Sequence, residues 1–550
     1  MSRYKIILIS FLFCFFVISC RLFYWQVIKS SEYSQKANNQ TYKMEVSKPT
    51  RGLIYSSDEF PLAVNQTDYV VSLYKPNFKQ NTESVYQQIE QIHPGFIRDN
   101  QNLLENFSKN DRQLWIDLNT FFNKPESEQL AQIPGITVSQ LKSRYYPEGD
   151  LAQNILGFIA KNTQGNYIGY GGLENYYNKQ LQGKTGFTWA PQDATGKTIL
   201  TKKSWNSPTY DGNNLYTSIN RAVQHLVEAT ITQGVEKYQA DSGSVSVMES
   251  GTGRIIAMAS ITATSSATPS ASKNPAISDL FEPGSIFKPI IMTMALDQKS
   301  INTDFICTEC SHSRTIGQYT ISNWDNSVHP DSTLKDIIKN SDNIGMSYII
   351  TQLGLDNFLK YYQKLGLNQK TGIDLQGETR PTLKSSWPEI DLATASFGQG
   401  IVVTQINMLR SFNTIANDGI MVNPTIVDYY TDYLNKKTVP KNRNEQTRVF
   451  SQESVSQMKE ILKYAVENGV VDQFRPDDLE VCAKSGTAQI AVKGNYTDSA
   501  TIASYIGFTP CDNPKFTMIV TINNPRSSPW GSSTAAPIWY ELASKIRFLL

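Results

Sequence analysis

Residues 282–289 read Glu-Pro-Gly-Ser-Ile-Phe-Lys-Pro. A serine and a lysine three positions apart can share one helix face, so the Lys288 amine can reach the Ser285 hydroxyl. Pro283-Gly284 is turn chemistry, and Pro289 falls in a first helical turn, where its missing N–H does least harm. The apolar run at 290–296 predicts a buried helix with Ser285 at its positive end. That setting suits a nucleophile attacking a carbonyl. The spacing alone decides little. Ser-x-x-Lys also occurs at Ser2, Ser72, Ser139, Ser270, Ser332 and Ser456, where an ordinary surface pair explains it.

Two further motifs give the pair its meaning. Ser341-Asp342-Asn343 follows a helical run at 334–338. Lys484-Ser485-Gly486-Thr487 follows the run 479–483 and lies on a strand-like stretch that continues to Val492, closed by a turn at Lys493-Gly494-Asn495. Lys184-Thr185-Gly186 and Lys370-Thr371-Gly372 are decoys for the last motif. The first precedes any candidate serine helix, and the second sits in a polar turn. Chain order and context select Ser285/Lys288, Ser341/Asn343 and Lys484–Thr487.

The bulk properties exclude several alternatives. A chain of 550 residues should hold more than one domain. A net charge of +1 gives a nucleic-acid partner no electrostatic support. The four histidines are scattered, no Gly-x-Ser-x-Gly is present, and no metal or cofactor is expected. Cys307-x-x-Cys310 reads as a local disulfide or plain thiols rather than half of a metal site, since no second ligand pair follows. A hairpin turning near Asn495 would carry Cys511 towards Cys482, which allows a second disulfide.

The elements that must position these residues follow in chain order. Arg3 and Lys5 precede an apolar run at 6–20, and Arg21 can snorkel while 22–28 extend the apolar face. This predicts a cytoplasmic tail at 1–5 and a transmembrane anchor at 6–28, with Tyr24 and Trp25 in the interfacial belt. The rival is a cleaved signal peptide, and Val17-Ile18-Ser19-Cys20 resembles a lipoprotein cleavage box. The continuation through Ile28 favours the uncleaved anchor. Residues 29–210 mix short strands, at 50–55 and 69–74, with polar helical sequence, and are expected to form a pedestal domain with an inserted lobe at about 75–141. A second domain is expected over 211–550. It opens with a strand near 215–219 and a helix near 222–232, and a Ser250-Gly251-Thr252-Gly253 hairpin follows. Strands, then helices, then the strands near 505–508 and 516–522 predict one antiparallel sheet packed by helices, with a helical subdomain.

With the three motifs in this order, the chain resembles the class B penicillin-binding proteins, monofunctional peptidoglycan D,D-transpeptidases. Arg21–Gln26, Arg51-Gly52-Leu53-Ile54-Tyr55, Pro61-Leu62-Ala63, Arg144–Gly149, Gly171-Gly172-Leu173-Glu174, Phe397-Gly398-Gln399-Gly400 and Ala536-Pro537 match further family positions. The turn Ser56-Ser57-Asp58-Glu59 departs from the family's usual Asp-Arg-Asn-Gly. The resemblance implies an α+β transpeptidase fold behind an elongated pedestal and one membrane helix, with the bulk of the chain outside the cytoplasm. It also implies the roles. Ser285 would be acylated by a stem peptide ending in D-Ala-D-Ala, Lys288 would take the serine proton, and Ser341 would relay a proton to the leaving group. Asn343 would hold the peptide backbone, and Lys484, Ser485, Gly486 and Thr487 would bind the terminal carboxylate. The N–H groups of Ser285 and Thr487 would form the oxyanion hole. β-Lactams would be trapped at Ser285, and a polytopic membrane glycosyltransferase of the shape or division type would be the partner. The rivals are a β-lactamase or D,D-carboxypeptidase that passes the acyl group to water, and a non-catalytic penicillin-binding scaffold or sensor. Glu389-Ile390-Asp391-Leu392 has a slight likeness to the class A deacylating loop, but Ala393 stands where that loop has Asn.

Overall fold

The computed structural model describes residues 3–192, 204–263, 273–440, 445–492 and 495–550. The expected turn residues Lys493 and Gly494, and residues 1–2 of the expected tail, lie outside them. The chain divides into two compact units, Met1–Arg51 with Gln182–Gly212, and Gly52–Leu181 with Asn213–Leu550.

In the first unit the helix Arg3–Phe23 runs into a π-turn, Tyr24–Ile28. These 26 residues extend ~39 Å at ~1.5 Å per residue, enough to cross a hydrocarbon layer of ~30 Å. None of them is buried, so this apolar surface lies open. The Arg21 guanidinium lies 5.0 Å from the centre of the Trp25 ring. A polar helix, Ser30–Thr41, then leads into the strand Tyr42–Ser47. That strand pairs antiparallel with Gly186–Pro191, which pairs in turn with Trp205–Ser207.

In the second unit, residues 52–181 build on the long strand Pro61–Tyr74, flanked by Trp115–Phe122 and Ile136–Tyr145. The helices Thr82–Ile92, Gln101–Lys109 and Lys124–Leu130 close over a small core that includes Val85, Ile89, Phe96, Phe107 and Leu130. The strand Trp115–Phe122 interrupts a lobe expected to be helical; Ile116 and Leu118 alternate with polar residues, the period-two signature of a half-buried strand. The strand expected over 50–55 shrinks to Ile54–Tyr55, because the Leu53 N–H bonds the Asn214 side chain at 2.8 Å instead of a neighbouring strand. Ile54–Tyr55 pairs with Asn214–Thr217, and the latter with Val427–Thr431.

The second sheet carries the functional residues. Its five antiparallel strands lie in the order Ile255–Thr262, Ser242–Glu249, Phe516–Asn523, Asn495–Thr509, Cys482–Val492. Both faces are covered, so its inner strands read as apolar runs rather than alternations; every residue of Phe516–Asn523 except the last is buried. Arg221–Lys237 and Ala535–Ile546 pack on one side around Trp539, Tyr505 and Val520. On the other side lies Gln405–Ala416, whose residues are all buried. Two of its polar side chains bond into the sheet region: Gln405 bonds Ser244, Ser246 and Thr521, and Asn413 bonds Thr517 and the Ser250 carbonyl. The remaining helices, among them Lys288–Asp297, Asn343–Leu353 and Gln452–Glu467, form the subdomain around a core of Ile, Leu, Met and Phe. The antiparallel sheet with packed helices and a helical subdomain is as the sequence led us to expect. Both cysteine pairs are disulfides, Cys307–Cys310 and Cys482–Cys511, while Cys14 and Cys20 are free on the apolar helix.

Candidate active site

Ser285 does not sit on the α-helix itself. It lies in a 3₁₀ turn, Gly284–Phe287, and the α-helix begins at Lys288. Pro289 is the cause: it has no N–H to give to the Ser285 carbonyl four residues back, which accepts the Lys288 N–H instead. Three residues per turn bring i and i+3 into line, so the Ser285–Lys288 spacing suits this turn even better than the expected helix. The turn is held from two sides. Gly284, at φ +58°, donates to the Gly398 carbonyl at 3.1 Å. A Cβ on Gly398 would fall 2.2 Å from the Gly284 carbonyl oxygen. The Glu282 carboxylate accepts the Gly400 N–H at 3.1 Å. On the other side a Cβ on Gly486 would lie 2.9 Å from the Ile286 side chain, so the absent side chain lets the Lys484 strand close onto the serine turn.

Lys288 is fully buried. Its Nζ donates to Asn343 Oδ1 at 2.8 Å and to the Ser341 carbonyl, and lies 3.1 Å from Ser341 Oγ. Burial pushes this amine well below the ordinary lysine range, the Lys484 cation adds to the push, and Asp342 opposes it. A neutral amine has two N–H donors and one lone pair. The Ser341 carbonyl and the Asn343 carboxamide oxygen can only accept, so they take the two N–H groups and leave the lone pair for a hydroxyl. Among the described residues none bonds the Ser285 hydroxyl, which is therefore available to that amine or to an incoming group.

Ser341 occupies the left-handed region, φ +56°, which an L-residue adopts only when its surroundings dictate it. Its N–H bonds the Ile338 carbonyl at 3.2 Å and the Asp342 N–H bonds the Ile337 carbonyl at 2.9 Å. The Asp342 carboxylate caps the helix Asn343–Leu353 through the Gly345 N–H at 2.9 Å and meets His329 Nδ1 at 3.1 Å. Asn343 is fixed by Asn323 Oδ1, which accepts its backbone N–H at 2.7 Å, and by the Ser322 carbonyl, which accepts its Nδ2 at 3.0 Å. Lys484 is buried, with Nζ donating to the Ser485 carbonyl at 2.9 Å, and burial brings its pKa down to about 7. Thr487 Oγ1 accepts the Gly531 N–H at 3.1 Å.

The Ser285 turn, the Ser341–Asn343 loop and the Lys484–Thr487 strand are thus brought into one groove. Asn323, His329, Gly398 and Gly531 complete it and carry no local signature in the sequence. Gly398 is the exception, since it lies in the stretch Phe397-Gly398-Gln399-Gly400 noted above. The resemblance to a deacylating loop gains nothing: Glu389 pairs with Arg314 at 3.2 Å and Asp391 with Lys384 at 3.0 Å.

The model of the penicillin-binding protein transpeptidase domain matches residues 243–544, and that of the penicillin-binding protein dimerisation domain matches 46–217. The chain belongs to the class B penicillin-binding proteins. It is 28% identical to stage V sporulation protein D of Bacillus subtilis, over 98% of this chain and 84% of that one. It is 27% identical to the peptidoglycan D,D-transpeptidase FtsI of Buchnera aphidicola, over 99% and 95%. Among solved structures, a peptidoglycan synthetase from Bifidobacterium adolescentis matches with a TM-score of 0.72 at 24% identity, covering 92% of this chain and 96% of that one. Penicillin-binding protein 3 of Mycobacterium tuberculosis matches with a TM-score of 0.69 at 20% identity, covering 92% and 97%.

A penicillin-binding protein with this lysine pair should show a shifted pH profile. Lys288 accepts a proton only when neutral, so acylation should rise with pH through a point well below the ordinary ~10.4 of a free lysine. Lys484→Ala removes the neighbouring cation that helps to lower it, and the rising limb should move to higher pH. Acylation rates of both proteins across pH check this; coincident limbs would remove Lys484 from the argument.

Proposed function

We propose that this chain is a membrane-anchored serine D,D-transpeptidase that cross-links peptidoglycan stem peptides and is a target of β-lactams. The observation that carries the reading is the buried amine of Lys288, which follows the Ser285 turn directly and meets Ser341 and Asn343 of the second motif. Ser285 Oγ attacks the carbonyl between the two terminal D-alanines as its proton passes to Lys288 Nζ. The N–H groups of Ser285 and Thr487 take the charge that forms on the carbonyl oxygen, a contribution of ~3 kcal/mol per donor. Collapse breaks the peptide bond, and the proton held by Lys288 returns through Ser341 to the departing D-alanine nitrogen. The acyl group, now an ester of Ser285, is then attacked by an amine of a second stem peptide. That amine gives up its proton along the same path and frees the serine. Lys484, Ser485, Gly486 and Thr487 hold the donor's terminal carboxylate, whose charge favours the protonated form of Lys484. Asn343 steadies the donor backbone.

The division of labour we propose is a tail at 1–5, an anchor at 6–28, a pedestal at 29–210 with its lobe at about 75–141, and the catalytic domain at 211–550. The two family matches, at 46–217 and 243–544, support a boundary between them. The exposed apolar helix supports single-pass anchoring in the plasma membrane with the catalytic part outside the cytoplasm. A polytopic membrane glycosyltransferase of the shape or division type is the partner that class B membership suggests. Labelling with a fluorescent penicillin tests the activity. A covalent label that leaves slowly is expected. Rapid loss with hydrolysed antibiotic would make the protein a β-lactamase, and folded protein without any label would make it a scaffold.

A further inference from the structure

The two walls of the groove each present a tryptophan, and the two rings touch. Trp324 follows Ser322 and Asn323, the residues whose carbonyl and side-chain oxygens hold Asn343. Trp530 precedes Gly531, whose N–H bonds Thr487 at 3.1 Å and which lies so close to the Lys484 strand that a Cβ would fall 2.2 Å from the Gly486 carbonyl oxygen. Both backbones are therefore tied to catalytic motifs on opposite sides. The rings meet edge to face, with centroids 4.9 Å apart at 62°. They remain 60% and 39% exposed, so this is no core contact, and neither ring is needed to fill the fold.

We propose that Trp324 and Trp530 form an aromatic clasp across the groove that an acyl donor must part before it reaches Ser285, making the pair a determinant of donor admission. The proposal rests on the reading of the groove as the donor site. An edge-to-face pair of this kind favours the closed form by about fivefold, and a ligand that binds only the open form loses that factor in apparent affinity. Opening needs no change in the catalytic residues, because the loops are anchored by main-chain groups, the Trp530 carbonyl among them, and by neighbouring side chains, not by the rings.

The test is the second-order rate of labelling of the full chain by a fluorescent penicillin. Trp324→Ala and Trp530→Ala should each raise it by about fivefold. The double variant should gain no more than either single one, because one contact is lost in all three. Trp324→Phe, which keeps an edge for the partner ring, should match the unmodified protein, and melting temperatures should be unchanged throughout. Unaltered rates in both alanine variants, additive gains, or a fall in rate would each overturn the clasp; a fall would mark the rings as a wall that grips the donor. Absence of label on the unmodified protein would sink the reading of the site, and the clasp with it.

Discussion

Lys288→Met should lower the rate of penicillin acylation by about 10²–10⁴-fold, the usual contribution of a positioned base, while Ser285→Ala should take no label at all. The two variants separate the base from the nucleophile. Methionine nearly fills the lysine's volume but offers no lone pair, so residual slow labelling in Lys288→Met with none in Ser285→Ala is the expected pattern. A second readout is independent of the antibiotic. The unfolded chain holds the Lys288 proton up to ~10.4, whereas the folded chain gives it up at a much lower pH. Between those points the unfolded state binds more protons, so stability rises with pH. Denaturation at pH 7 and pH 9 should show that slope in the unmodified protein and a smaller one in Lys288→Met. Equal slopes would mean that the amine is charged in the folded state, and the base assignment would fail.

The largest effect on stability is expected far from the serine. Arg144 and Glu174 form an ion pair at 2.7 Å with side chains 1% and 0% exposed. The guanidinium also donates to the Gly52 carbonyl at 2.8 Å and to Asn65 at 3.3 Å. Glu174→Leu would leave the cation buried and uncompensated, at a cost of about 3–5 kcal/mol. Replacing both residues, Arg144→Met with Glu174→Leu, should recover most of that loss, because the unpaired charge goes with its partner. Urea denaturation of the three proteins decides the point; a single variant within about 1 kcal/mol of the unmodified protein would show that water reaches the pair.

The motifs were legible because each is local. Ser285 and Lys288, or Ser341 and Asn343, are fixed relative to one another by a single turn of chain, and their order selects the fold that joins them. What was hidden depends on pairing at a distance. Nothing local tells Asn214–Thr217 to lie between Ile54–Tyr55 and Val427–Thr431, or Gly398 to press against Gly284. His329 was equally hidden, since its value lies in the Asp342 carboxylate that it meets through the fold. The 3₁₀ turn at Ser285 could have been read. Proline denies the carbonyl four residues before it a helical partner, and that carbonyl belongs to the serine.

The Lys484 strand is the last in its sheet, so on the proposed reading its outer row of main-chain groups would receive the donor peptide. An extended peptide laid along that margin is held through its own amides, which are the same whatever side chains it bears. Discrimination then concentrates at the chain end, where a carboxylate and a small terminal residue must fit, and relaxes further back. An enzyme built this way can accept cell walls of differing stem composition without rebuilding its catalytic centre.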